Sequence, residues 1–593
     1  MTQPSQPPAT GYREVTPLAI AFGILIGVVM NAAITYTGLK IGFTLGGSAI
    51  AAVLGWGVLR GLFQKGSILE INIAQTIASS VNTSNSGVIF TVPALFLLGA
   101  SVESLNWLWL SAACVAGALL GVAFIIPTRK QMTDFDRLRF PTGTAVATVL
   151  RSPGEGVRKS QVLVGGILAS MVIFFFTQSP LGLWPTYESL GIPGVSADHV
   201  DVALWIRAIP GLGDLWLPSM EFTWAIAPFA IGAGFITGRP GFVVLAGGIL
   251  AYLIITPIAF DQGWLPAAVE AASAGGWART NMNRSIGIGM LMGGAAMGLI
   301  FALPAIRGAL AGMRKAQASG EAQEELSLKI LYVAVAAAFV VLFLAARGTI
   351  ADGSIGQALL IAAVGTGWIW FSGIIIAQCT GMTDWSPISG MSMLTVMICL
   401  FLSGNQVVPA VLIGAAVCVA ITLCADMMQD LKTGHLVGGI PARQQRVELA
   451  VVWIGPLVCL GVVALLASAN IEAEGVAFGG ERSPAPQAVA LKSAIDGIRG
   501  GDVPLHLYGM GGVLGMLLSL SGIAGLGVLV GLSMYLPLAY LLPYGLGCLL
   551  QVICSKVKGA RWTESWGVPF AAGMLVGEGL LGIVFAILDL FAG

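Results

Sequence analysis

The chain has 593 residues, of which 56% are hydrophobic and 10% charged, with 29 basic side chains against 29 acidic ones and three histidines. Soluble domains carry about 25% charged residues, so this composition, with a mean hydropathy of +0.88, excludes an ordinary soluble protein and marks a polytopic membrane protein. A net charge of zero leaves no basic surface for nucleic acid. Eighty glycines suit helices that pack closely in lipid. The cysteines lie mostly inside apolar runs (Cys114, Cys399, Cys418, Cys424, Cys459) with no CxxC pair, as small core residues do.

The first residues, MTQPSQPPATGYRE, are polar and Pro-rich without the basic, apolar and cleavage regions of a signal peptide, so an uncleaved tail is expected. Apolar runs at Thr16–Tyr36 and Gly38–Phe63 follow. Ser67–Thr91 is too polar to face lipid: Asn72, Gln75, Thr76, Ser79, Asn82, Thr83 and Ser86 fall on one face of a helix, covered by isoleucine and alanine on the other. Val88–Ala100 continues it and is broken at Pro93. A discontinuous span with one wet face suits the lining of a transporter or channel.

Asn106–Pro127 leads to a charged island, Asp134–Arg151, and then to apolar runs Gln161–Gln178, Phe222–Thr237, Phe242–Phe260 and Ile286–Pro304, with a long loop Ser179–Met220 among them. Arg307–Ser327 is polar and divides the chain. Beyond it come Ile330–Ala346, Gln357–Ala377, an interrupted segment Thr380–Ser403, and Val408–Ala425. A second island, Asp426–Arg446, precedes Leu449–Ser468, a Pro-rich loop Ala469–Val503, and the runs Leu514–Leu536, Leu538–Ile553 and Val568–Leu590. The predicted fold is an all-α polytopic membrane protein with about sixteen membrane segments. Basic residues in both islands and in the central connector put those loops on the cytoplasmic side, and acidic Ser179–Met220 outside. Ser555–Trp566 carries three basic residues but falls outside by the repeat described next.

The chain reads as two copies. Gly289-Met290-Leu291-Met292-Gly293 returns as Gly573-Met574-Leu575-Val576-Gly577, Gly298 matches Gly582 at the same separation, and Thr142-Gly143 is echoed by Thr433-Gly434. Two parallel pseudo-repeats with broken or re-entrant helices are expected: residues 1–306, a cytoplasmic connector 307–328, and residues 329–593.

Five spaced blocks then resemble the oligopeptide transporter (OPT) family: GLKIGFTLGGSAIA (Gly38–Ala51), LEINIAQTIASSV (Leu69–Val81), FPTGTAVA (Phe140–Ala147), QDLKTGHLVGGIP (Gln429–Pro441) and GMLVGEGLLG (Gly573–Gly582). The resemblance covers nearly the whole chain and implies a secondary transporter coupling peptides, or metal–chelator complexes, to proton flow. The chain lacks the Asn-Pro-Gly and Lys-Ile-Pro-Pro-Arg motifs of peptide-clade members, and DLKTG (Asp430–Gly434) resembles the yellow-stripe-like and prokaryotic pattern more closely.

Several residues are candidates for chemistry, because ionisable groups at membrane depth are costly. Glu70 and Glu578 are the candidate proton-coupling acids; a helix-start acid is the competing reading of Glu70. Tyr36, Lys40, Asn72, Gln75, Thr76 and Asn82 are candidates for substrate binding, with interhelical hydrogen bonding as the alternative for the polar set and snorkelling for Lys40. Asp384 and Trp385, in the expected break TGMTDWSP, join them, with helix capping as the alternative for Asp384. In the second island, Asp426 and Asp430 share a helical face, and Lys432 and His435 are expected to neutralise them as a cytoplasmic gate, against a simple solvated loop. The GxGxxG at Gly577–Gly582 lies in a membrane helix and is no dinucleotide fingerprint. With no HExxH, no P-loop and no metal-ligand spacing, the expectation is a transporter without cofactor, metal or enzymatic activity. The expected partners are a small-molecule substrate, protons and the bilayer, in a bacterial-type inner membrane, with a homodimer left open. A channel or membrane-embedded enzyme is the contrasting class.

Overall fold

The computed structural model describes residues 13–42, 44, 47–64, 66–138, 140–151, 156–179, 182, 184–209, 219–220, 222–287, 289–290, 292–294, 296–297, 300, 325–350, 354–383, 386, 388–500, 504–521 and 526–592. Within them the protein is helical apart from one short two-stranded antiparallel ribbon, His199–Asp201 paired with Thr223–Ala225. Among the described residues nine helices are long and apolar enough to cross a membrane, and shorter apolar helices such as Ile50–Gly61, Pro228–Thr237, Gly390–Leu402 and Leu505–Ser519 accompany them. This is a multi-pass, all-α integral membrane protein.

The chain folds as two compact units, each drawing on both predicted halves. The first takes Met1–Gly38, Phe43–Gln161 and Leu299–Ala464; the second takes Leu39–Gly42, Val162–Gly298 and Leu465–Gly593. The first unit is built around the helix Val407–Val437, which is buried along almost its whole length. It packs against Trp107–Ile125, Ile355–Thr383, Ile388–Leu402, Asn85–Thr91, Pro141–Leu150 and Ile68–Thr83. Small residues permit this. A Cβ on Gly117 or Gly121 would run into the backbone of Ala416 or Ala420, one turn apart on the facing helix.

In the second unit, the repeat-related glycines serve the same purpose in different pairings. Gly289 and Gly293 meet the backbone of Tyr508 and Gly512 on Leu505–Ser519. Gly573 and Gly577, on Val568–Ala592, meet Leu163 and Ile167 on Gly156–Phe175.

Three sequence expectations change. The second island is not a loop for most of its length: the helix from Val407 runs without interruption through Asp426, Asp430 and His435 to Val437. It stops where Gly438 adopts φ +86°, and Pro441–Val451 begins the next helix with proline in its first turn. The Pro-rich loop Ala469–Val503 contains a helix, Pro486–Ile498, and Ser179–Met220 carries one strand of the ribbon and a short helix, Val202–Arg207. Near Pro93 the interruption is confined to the hydrogen-bond ladder: Val92, between Asn85–Thr91 and Pro93–Leu97, keeps helical dihedrals (φ −61°, ψ −41°). Helices Ile355–Thr383 and Ile388–Leu402 flank the other predicted break. Most of the connector, residues 307–324, lies outside the described residues.

Candidate functional site

Two groups of buried ionisable side chains stand out, one in each unit. In the second unit, Lys40 and Glu578 meet. Lys40 is 6% exposed and Glu578 fully buried, with Nζ 3.9 Å from Oε1. The lysine reaches this position because the last turn of the helix Pro17–Ile41 is held there: Leu39 accepts a hydrogen bond from the Ala485 amide (2.8 Å) and Gly42 accepts one from Gln487 Nε2 (3.3 Å). The rings of Phe174, Phe229 and Tyr540 surround the ammonium at 5.5, 5.7 and 5.8 Å from their centroids, within range of cation–π attraction. The other carboxylate oxygen of Glu578, Oε2, accepts the backbone N–H of Phe229 at 2.9 Å. Thus Lys40 does not snorkel. It is desolvated, and a carboxylate with three rings replaces water around it.

In the first unit, the polar face of Ile68–Thr83 meets the second island. Gln75 Nε2 donates to Asp430 Oδ1 (2.6 Å), and the Ser79 hydroxyl donates to Asp426 Oδ1 (2.7 Å). Gln444 Nε2 donates to Thr76 Oγ1 (2.9 Å) and to the Asp430 carbonyl (3.0 Å). Asn72 and Asn82 are also buried. In this conformation Gln75, Thr76 and Ser79 are engaged in helix–helix hydrogen bonds. The periodicity locates a polar face; what the face meets depends on tertiary packing.

The two islands come together. The Thr433 hydroxyl donates to the Gly143 carbonyl (2.8 Å), so the repeated Thr-Gly pairs touch, and a Cβ on Gly143 would strike Gln429. His435 Nδ1 lies 3.9 Å from Asp134 of the first island, and Lys432 lies within electrostatic reach of Asp134. Asp426 and Asp430 meet the neutral donors Ser79 and Gln75; the island's Lys432 and His435 lie by Asp134.

Glu70 closes a capping box: its amide donates to Ser67 Oγ (3.2 Å) and its Oε2 accepts the Ser67 amide (2.9 Å). This satisfies two helix-end donors and gives the acid a local structural role. Tyr36 is buried one turn before Lys40. Asp384 and Trp385 lie outside the described residues.

The sequence reading passed over Glu448, which is fully buried on Pro441–Val451. Its carboxyl lies close enough to Asp430 and Asp426 to interact with both. The available signal was an acid two residues beyond the island's last arginine, at the entrance of the next apolar run. Arg129, 1% exposed, was also missed; it pairs with Glu325 and lies 3.6 Å from Asp134.

Apolar helices enclosing charged groups that lipid alone would not tolerate define a multi-pass integral membrane protein. A family model described as "OPT oligopeptide transporter protein" matches residues 14–588. The chain belongs to that family. It is similar to a Haemophilus influenzae protein described as "Putative oligopeptide transporter", 30% identical over 620 aligned residues covering 93% of this chain and 92% of the relative.

Proposed function

We propose that this protein takes up small oligopeptides or peptide-like compounds by secondary active transport, in symport with protons, by alternating access across a bacterial inner membrane. The observation that carries this reading is the sealed Lys40–Glu578 pair. With Glu578 ionised, the pair holds the end of the Pro17–Ile41 helix in place. A proton on Glu578 removes that attraction and leaves the Lys40 ammonium to receive a substrate carboxylate. Loss of the proton restores the pair and expels the substrate group. Substrate and proton then favour the same state, which is what coupling requires.

The attraction has the right size. At 3.9 Å and an effective dielectric near 20 it is about 4 kcal/mol, against about 5.5 kcal/mol needed to move a two-state equilibrium from 1:99 to 99:1. The two-copy sequence pattern and the interleaving of both halves in each unit suit a transporter of duplicated origin.

The test is uptake of labelled di- to tetrapeptides into proteoliposomes with an imposed pH gradient. Accumulation that follows the gradient is expected, with the gradient dependence lost in Glu578→Gln. Uptake indifferent to pH refutes symport. Transport of a metal–chelator complex in place of peptides would reassign the substrate class.

A further inference from the structure

We infer that Asp426, Asp430 and Glu448 form a second proton-binding site, one that bridges the turn between the helices Val407–Val437 and Pro441–Val451. Two acids stand before the Gly438–Gly439 turn and one after it. Glu448 is fully buried and Asp430 is 1% exposed. Among the described residues, neither Glu448 oxygen has a hydrogen-bond partner, and Asp426 Oδ2 and Asp430 Oδ2 are likewise buried without one. The donors that reach the aspartates are neutral: Gln75, Ser79 and Thr83.

The described ionisable groups on the surrounding helices do not pair with these acids; the buried Arg129, nearest to Glu448 through Gln445, is paired with Glu325. Glu70 is held in its capping box. Arg443 pairs with Glu14 at 3.2 Å, and Arg446 and Lys329 are exposed. His435 and Lys432 lie by Asp134. Arg347 adjoins Gly348, which packs on Trp109 near the start of Trp107–Ile125. Trp107–Ile125 runs parallel to Val407–Val437, with Gly117 and Gly121 meeting Ala416 and Ala420 in register, which puts Arg347 at the end remote from Asp430. Cys424, beside Glu448, donates its thiol to the Gly121 carbonyl. Asn85–Thr91, Pro141–Leu150 and Ile388–Leu402 bring no Asp, Glu, Lys, Arg or His, nor does Ile355–Thr383. Among the described residues no lysine, arginine or histidine pairs with any of the three acids.

Three buried like charges without a counter-charge are strongly unfavourable, so the cluster takes up a positive charge. Among the described residues no three such groups are placed to hold a metal ion. The occupant that fits is a proton shared among the carboxyls. Bound, it lets the two helices close on each other. Released, it leaves charges on both sides of the glycine turn that push the helices apart, and Gln75, Ser79 and Gln444 carry that movement to Ile68–Thr83. The role in coupling rests on the transport reading; the proton site itself does not.

Infrared difference spectroscopy of the purified protein at neutral pH tests it. The wild type should show a protonated-carboxyl stretching band that shifts in D2O. The band should weaken in Glu448→Gln and Asp430→Asn, persist in Glu448→Asp, and ignore sodium. In proteoliposomes, stimulation of uptake by a pH gradient should fall at least about tenfold in Glu448→Gln, within the range of ordinary coupling energies. A band unchanged by both neutralising variants, or one abolished by sodium, overturns the proposal. If wild-type uptake ignores pH while the band still depends on Glu448, symport fails and the proton site stands.

Discussion

Replacing Lys40 by methionine removes the one cation that, among the described residues, pairs with a carboxylate that has no exposure to solvent. The lost attraction is about 4 kcal/mol at the observed separation and an effective dielectric near 20. Removing one member of a buried pair typically costs about 3–5 kcal/mol, because the survivor keeps its desolvation penalty. The Phe229 amide remains on Oε2 and offsets part of this. Methionine also keeps some contact with Phe174, Phe229 and Tyr540 through its polarisable sulfur. Lys40→Met alone should therefore destabilise by about 3 kcal/mol. The double variant Lys40→Met, Glu578→Gln, which buries no charge, should return to within about 1–2 kcal/mol of wild type. Thermal or denaturant unfolding in detergent, followed by circular dichroism, gives the order of stability. If the double variant is as unstable as the sum of the singles, or Lys40→Met costs nothing, the pair is not a buried ion pair and the coupling argument built on it falls.

Gly117→Ala should destabilise by about 1–3 kcal/mol through overpacking, because its Cβ would press on the Ala416 backbone, whereas Gly165→Ala, with open space beyond it, should be neutral or slightly stabilising; unfolding midpoints compare the two. Ser67→Ala should cost about 0.5–2 kcal/mol and speed amide exchange in the first turn of Ile68–Thr83, while Glu70→Gln, which can still close the box, should keep pH-driven uptake. The hydrogen bond between Asp198 and His199 (2.8 Å) raises the histidine pKa and lowers that of the aspartate. His199 thus contributes stability that is fully present below its unfolded pKa and lost as pH rises through its folded one. Asp198 contributes above its unfolded pKa and loses that contribution as pH falls through its folded one. Both groups are about half exposed, so solvent screening keeps the effect of His199→Gln below about 1 kcal/mol; NMR titration of the ring should show the raised pKa collapse in Asp198→Asn.

Some of this architecture can be read directly from residues. The polar stripe on Ser67–Thr91 betrays a buried helix because its period of 3.6 matches one face, and the gap in the hydrogen-bond ladder at Pro93 follows from the missing amide. Glu578 stands out because nothing apolar needs an acid there. Other features are written only in three dimensions. Gly438 looks no different from dozens of other glycines, yet it ends a 31-residue helix that carries the island into the core. Glu448 adjoins an arginine-rich stretch and reads as a surface acid until Pro441–Val451 turns it inward. Lys40 could snorkel on its own helix, and the Ala485 and Gln487 bonds help to fix it beside an acid more than five hundred residues away. Partners that distant leave no local trace in composition or period.

The central claim is that peptide and proton cross together because of Glu578. Proteoliposomes loaded with a pH-reporting dye, with no gradient imposed at the start, test it when a small peptide is added outside. The account predicts acidification of the lumen on peptide addition in the wild type and none in Glu578→Gln. Peptide entry without any change in lumenal pH, or equal acidification in the variant, would contradict it.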